Sequence, residues 1–247
     1  MRLQLRLSPP KETVPFNHLP VLAGALHKWL GPNDEHNGLS LYSFSWLQGG
    51  AFTPAGLRFP KGATWHISAI DDLFLMRSIQ GIMRDPDIRW GMRVEQCVIE
   101  PPPPFPDSGE VRLLCSSPIF IKRRIADGTD KHYLYSDPES DQLLTETLQH
   151  KLRAAGLDDS NISVRFDRDY PKAKTQKITY RNIDNRASFC PVFIKGTPEQ
   201  LAFAWTVGLG NSTGVGFGGV YWADGKKDKT AQNGEKNNYK EKEVDSN

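Results

Sequence analysis

Six histidines, His18, His27, His36, His66, His132 and His150, are the residues of this 247-residue chain best suited to moving protons near neutrality. An imidazole titrates at about pH 6.5 when unperturbed, so one side chain can give or take a proton in the same range. A lone histidine is more often a surface or hydrogen-bonded filler than a catalyst, and residue type alone does not rank the six. His36 sits in the polar loop Pro32-Asn33-Asp34-Glu35-His36-Asn37-Gly38, and His27 follows Leu26 on a helical pattern and need not face the core. Three cysteines, Cys97, Cys115 and Cys190, cannot all pair, and no two stand at metal-ligand spacing. No metal and no cofactor is expected.

A second chemical feature is the stretch Gly208 to Gly219, with six glycines in twelve residues. Glycine lets backbone N–H groups come close to a phosphate and point inward. Two nucleotide motifs fail on context. A P-loop would end in Gly-Lys-Ser/Thr, which is absent, and a dinucleotide fingerprint would follow a strand and open a helix. This loop instead follows a helical pattern and precedes a strand. With a polar Asn211-Ser212-Thr213 tip and basic clusters nearby, phosphate-backbone binding is preferred to a plain tight turn.

Charge is segregated although the net is only +2. From Asp127 to Asp159 eight acidic residues face three basic ones, whereas Arg165 to Arg186 holds seven basic and three acidic. Lys122-Arg123-Arg124 forms a further basic cluster. Such clusters can be ordinary solvated faces, or they can displace counterions from a polyanion. No apolar run approaches the ~20 residues of a membrane span, and the N-terminus alternates instead of forming a signal-peptide core. A cytoplasmic protein without a membrane partner is expected.

The elements that must position these groups follow from periodicity. Arg2 to Leu7 alternates like a half-buried strand. Leu19, Leu22, Leu26 and Leu30 mark an amphipathic helix stopped by Gly31-Pro32. Strands are expected at 39–47 and 63–70. A helix capped by Asp71 or Asp72 should carry Leu73, Met76, Ile79, Gln80 and Met83 on one side, before a strand over about 89–99. The order is that of a ferredoxin-like βαββαβ unit. Four prolines at 101–104 then favour a stiff linker. Beyond it, strands are expected at 111–121, 132–135, 162–166, 177–180 and 192–195, with a helix at 140–155. Thr197-Pro198-Glu199-Gln200 reads as a capping box opening a further helix, and 220–222 as a last strand. The chain is thus read as α+β with two tandem ferredoxin-like domains, 1–100 and 111–223, joined by a linker at 101–110. The tail at 224–247, with six lysines, six acidic residues and one aromatic, is expected to be disordered.

In this order the motifs resemble the RAMP superfamily of CRISPR-associated proteins, and within it the endoribonucleases that process CRISPR repeat RNA. Gly208-Leu209-Gly210 and Gly216-Phe217-Gly218 match that signature between the last helix and last strand. Val14-Pro15-Phe16-Asn17-His18 and Leu41-Tyr42-Ser43-Phe44-Ser45 resemble its N-terminal motifs, so the likeness runs over about residues 1–223. The resemblance implies metal-independent RNA cleavage by 2′-hydroxyl attack, leaving a 2′,3′-cyclic phosphate and a 5′-hydroxyl.

It further implies His36 as a catalytic acid–base residue, and His27 as a second at a position where relatives carry tyrosine or histidine. The other four histidines are read as non-catalytic. RNA binding is assigned to Gly208, Gly210, Asn211, Ser212, Gly214, Gly216, Gly218, Arg123, Arg124, Lys172, Lys174 and Lys177. Ser40 departs from the pattern where a lysine is common, which leaves the charge-stabilising group unassigned. The implied partner is CRISPR repeat RNA, with other effector subunits and a second copy of the chain left open. Two rival readings are a catalytically silent RNA-binding subunit of a CRISPR effector complex and an unrelated nucleotide-binding enzyme.

Overall fold

The computed structural model describes residues 1–32, 38–107 and 109–223. In the first half, β1 (Arg2–Leu7), β2 (Tyr42–Phe44), β5 (Ala63–Ala69) and β6 (Val94–Glu100) form an antiparallel sheet in the order β2-β5-β1-β6. Helices α1 (Leu19–Leu30) and α2 (Asp72–Arg84) are the crossovers. The short hairpin β3 (Ala51–Thr53) and β4 (Gly56–Arg58) is inserted before β5. Alternation puts Leu3, Leu5 and Leu7 into the core, where the full leucine stripe of α1 meets them.

The second half repeats the plan. β7 (Glu110–Cys115), β10 (Ser163–Phe166), β13 (Val192–Lys195) and β14 (Val220–Tyr221) lie in the order β10-β13-β7-β14, with α3 (Ser140–Ala154) and α4 (Pro198–Val207) as crossovers. Two hairpins are inserted, β8 (Ile121–Arg124) with β9 (Asp130–Tyr133), and β11 (Lys174–Tyr180) with β12 (Ile183–Phe189). Both sheets have the strand order of a ferredoxin-like unit. Among the described residues no helix is long and apolar enough to cross a membrane. The tail at 224–247 lies outside the described residues.

The caps behave as their residue types require. Asp71 accepts from the Leu73 N–H at 2.9 Å, and Thr197 with Gln200 completes the capping box of α4. The expected strand over 111–121 is divided at Ser116-Ser117-Pro118, whose proline has no N–H for a ladder. The expected face of α2 is corrected. Leu73, Met76 and Met83 are exposed, while Phe74, Leu75, Ser78, Gly81 and Ile82 are buried. The reason is close helix–helix approach: a Cβ on Gly81 would run into the Trp29 backbone of α1. Small residues, not methionines, therefore face α1.

Gly81→Ala should destabilise the protein by about 1–3 kcal/mol through overpacking. Gly24→Ala on the open face of α1, where a Cβ meets nothing within 4 Å, should instead stabilise by about 0.5–1 kcal/mol. Urea denaturation of the two variants checks the contrast.

Candidate nucleic-acid interface

The glycine-rich loop lies between the two ferredoxin-like units, and the first unit holds it. One face of β2 and its continuation meets the loop at every second residue. Tyr42 Oη donates to the Gly214 carbonyl at 3.1 Å, and Trp46 Nε1 donates to the Gly216 carbonyl at 3.1 Å. Between them, the Phe44 ring occupies the space that a Cβ on Gly216 would enter, with Leu19 of α1 on the same side. Gly216 also has φ +94°, so only glycine satisfies both conditions there. A Cβ on Gly214 would strike Ser40 Oγ, so the residue found at the expected lysine position is in contact with the loop tip.

The base of the loop is tied as well. Ser43 Oγ donates to the Thr206 carbonyl at 2.8 Å. Arg2 donates from Nη2 to the carbonyls of Trp205 (2.9 Å) and Val220 (2.8 Å), one at either end of the loop. From the second unit, Lys151 of α3 donates to the Val207 carbonyl at 3.1 Å and to Thr213 Oγ1 at 2.9 Å. Lys151 is fully buried, and desolvation pushes its pKa down to about 7.

This placement revises how the loop can meet RNA. Gly208, Gly210, Gly214, Gly216 and Gly218 are all buried against protein, and of the loop only Ser212 is exposed, with Asn211 and Val215 half-buried. Asn211 Oδ1 is occupied by the Lys122 N–H (2.8 Å) and by Arg123 Nη1 (3.2 Å). Arg123 also donates to the Leu143 carbonyl and Thr147 Oγ1, so its guanidinium pins the loop to α3. Glycine content thus reflects packing between the units, and the loop offers solvent a Ser212 tip.

The other basic residues gather on the inserted hairpins. The β8–β9 hairpin carries the exposed Arg124, and the β11–β12 hairpin the exposed Lys174 and Lys177, with Lys172 just before it. The hairpins meet where the Arg186 N–H approaches His132 Nδ1 at 3.4 Å, which joins the two basic segments. Lys177 pairs with Asp184 at 3.0 Å, both exposed. Lys172 and Lys174 border a cavity of about 410 Å³ between the units, also lined by Phe16, Trp46, Phe52 and Phe189.

The histidines are dispersed. His27 is half-buried in the last turn of α1, and His36 lies outside the described residues. His18 is buried, with Nδ1 against the Phe16 carbonyl at 3.1 Å, and desolvation lowers its pKa. Desolvation, with Arg2 nearby, pushes His66 down to about 4. His132 packs edge-on against Phe120 and is also lowered by burial, while His150 is exposed on α3. Trp46, Lys151 and Arg2 were not among the residues expected from sequence. Trp46 could have been found, because it continues the alternation of Tyr42 and Phe44.

Residues 100–221, just under half of the chain, match the family model described as CRISPR associated protein Cas6, C-terminal. Three solved structures share the fold over most of the chain. One, described as CRISPR associated protein Cas6, is 21% identical with a TM-score of 0.76 and covers 91% of this chain and 99% of that one. A Cas6-related gene product from Pyrococcus furiosus is 17% identical with a TM-score of 0.75, covering 92% and 99%. A third, described as an RAMP protein binding different RNA substrates, is 17% identical with a TM-score of 0.77, covering 91% and 100%. No curated protein sequence matches the chain.

Lys151 makes stability depend on pH. Its folded pKa lies below the 10.5 of a free lysine, so between about pH 7 and 10.5 the unfolded chain binds more protons. Stability should therefore rise with pH across that window, by at most about 1.4 kcal/mol per pH unit. Lys151→Met should remove this contribution, which chemical denaturation at pH 7, 8 and 9 measures as a flatter profile.

Proposed function

We propose that this chain is a CRISPR-associated RAMP protein of the Cas6 kind, a reading supported by the Cas6 C-terminal match and the shared fold, and that its activity is binding of CRISPR repeat RNA and its cleavage within the repeat, without a metal ion. The observation that carries this reading is the clamp between β2 and the glycine-rich loop. The chain leaves the 33–37 segment, which holds His36, and within a few residues Ser40 and Tyr42 are seated on Gly214. Ser40, four residues after the proposed acid–base residue in the chain, thus touches the glycine-rich loop two residues from its exposed Ser212.

In this reading one imidazole takes the proton of the 2′-hydroxyl beside the scissile bond. The freed oxygen attacks the adjacent phosphorus, the bond to the 5′-oxygen breaks, and a second proton donor protonates that leaving oxygen. The products are a 2′,3′-cyclic phosphate and a 5′-hydroxyl, with no redox change and no water consumed. His36 and His27 are assigned to the two proton transfers, the order between them left open. Lys172, Lys174 and Arg124 hold the backbone by charge, and Ser212 and Asn211 border the strand at the loop tip. Lys177 contributes less, because Asp184 shares its charge. Arg123 and the buried glycines act by holding the loop in place.

Incubation with the repeat RNA of a neighbouring CRISPR array, in excess chelator, should give those two product ends. His36→Ala and His27→Ala should each slow single-turnover cleavage by about 10²- to 10⁴-fold with RNA binding retained. Wild-type rates in both variants would overturn the assignment. Tight binding by the wild type with no cleavage would favour the silent-subunit reading.

A further inference from the structure

The cavity between the units has a composition suited to one component of RNA. We propose that it is a pocket for a single unpaired nucleobase of the bound strand, read by Gln176 and separate from the scissile bond. The proposal rests on the RNA-binding reading above and adds a specificity determinant to it.

Three observations carry it. First, the walls are aromatic and come from both units. Phe16 and Phe52 stack with ring centroids 6.1 Å apart, and Phe52 is 78% exposed on the β3–β4 hairpin. Lining the same cavity, Phe189 meets Trp46 edge-on at 5.3 Å. An exposed aromatic pair facing a cavity is a platform that any flat base can stack on. Its volume of about 410 Å³ falls within the range of about 300–1,000 Å³ typical of small-molecule sites.

Second, both lysines that line the cavity reach solvent, where a phosphate can meet them. Lys172 and Lys174 are exposed at the border, and Lys174 Nζ lies 5.6 Å from the Phe189 ring centroid. A base stacked inside leaves its phosphates beside these ammonium groups. Third, polar reading groups line the interior. Gln176 lines the cavity and is half-buried, and its amide carries both a donor and an acceptor for a base edge. The Gln48 amide, by contrast, already donates to the carbonyls of Trp46 and Ser116.

The pocket is also coupled to the glycine-rich loop. Trp46 forms part of its wall, and the same indole holds the Gly216 carbonyl of the glycine-rich loop. A second tie closes the wall: Asn17 Nδ2 donates to the Thr179 carbonyl at 2.8 Å, fixing the β11–β12 hairpin to the segment before α1. A base inserted here therefore fixes the register of the strand relative to the loop, since both are referred to one tryptophan.

The test uses the full chain and a repeat RNA from a neighbouring CRISPR array, made as a series with one abasic site at each successive position. Fluorescence anisotropy is expected to find a position where the abasic substitution weakens wild-type binding about 10- to 100-fold. In Phe52→Ala, a substitution of an exposed side chain, the intact repeat should bind that much more weakly, and the abasic penalty at that position alone should shrink to near unity. Gln176→Ala should lose base preference at the same position while keeping most of the affinity. Lys172→Ala and Lys174→Ala should weaken all members alike and each lower the salt slope by about one. Repeat binding with no position coupled to Phe52 or Gln176 overturns the pocket alone. Failure of the wild type to bind any member overturns the RNA reading and the pocket with it.

Discussion

A single guanidinium taken out of water holds the two halves of this protein in register. Arg2, on the first strand, is buried, and burial pulls its pKa down to about 9, so it stays charged at neutral pH. Such a cation is costly to bury unless its donors are used. Here Nε donates to Ser68 Oγ at 2.7 Å, Nη2 reaches the Trp205 and Val220 carbonyls, and the Trp205 ring covers the group at 3.6 Å. Those two carbonyls are the entry and exit of the glycine-rich loop. The loop's ends are set by the first strand of the opposite unit.

The remaining loop contacts extend this constraint. Tyr42 and Trp46 bond the tip carbonyls from one unit, while Lys151 and Arg123 bond its base and flank from the other. None of these four residues is acidic, and most of the acceptors are backbone carbonyls. The loop is thus held by cationic and neutral donors, which adds no negative charge where a polyanion would approach. The candidate interface is a property of the two units together, because both supply donors that hold the loop.

Much of the architecture was legible because local signals agreed with the tertiary outcome. The leucine stripe of α1, the Asp71 cap, the capping box at Thr197 and the alternation of β1 all have local causes. The errors arose where a distant contact decided. Met76 and Met83 looked like a core face of α2, but close approach to Trp29 selected the side bearing Gly81. Arg2 reads as a solvent position of an alternating strand, and only its partners 203 and 218 residues away explain its burial. The β3–β4 hairpin and β12 are short or polar and lack a strong period. For the interface, charge segregation pointed to the segments that form the two basic hairpins, yet sequence could not tell Arg123, bonded internally, from Arg124, which is exposed. The glycines were identified with a ligand-facing role, whereas their small size answers the need for the units to touch.

The placement of Arg2 also bears on how the molecule comes together during translation. Its side chain leaves the ribosome among the first, but one of its acceptors, Val220, is added more than two hundred residues later. Until then the first unit can complete its own sheet with a charged group that has Ser68, the Glu100 carboxylate across the sheet and solvent for company, but neither distant carbonyl. The second unit supplies the Trp205 and Val220 carbonyls and the Trp205 ring that cover that group, so its docking is the same event that fixes the ends of the glycine-rich turn. A nascent chain released early would lack the carbonyls at both ends of that turn and leave the guanidinium short of two acceptors.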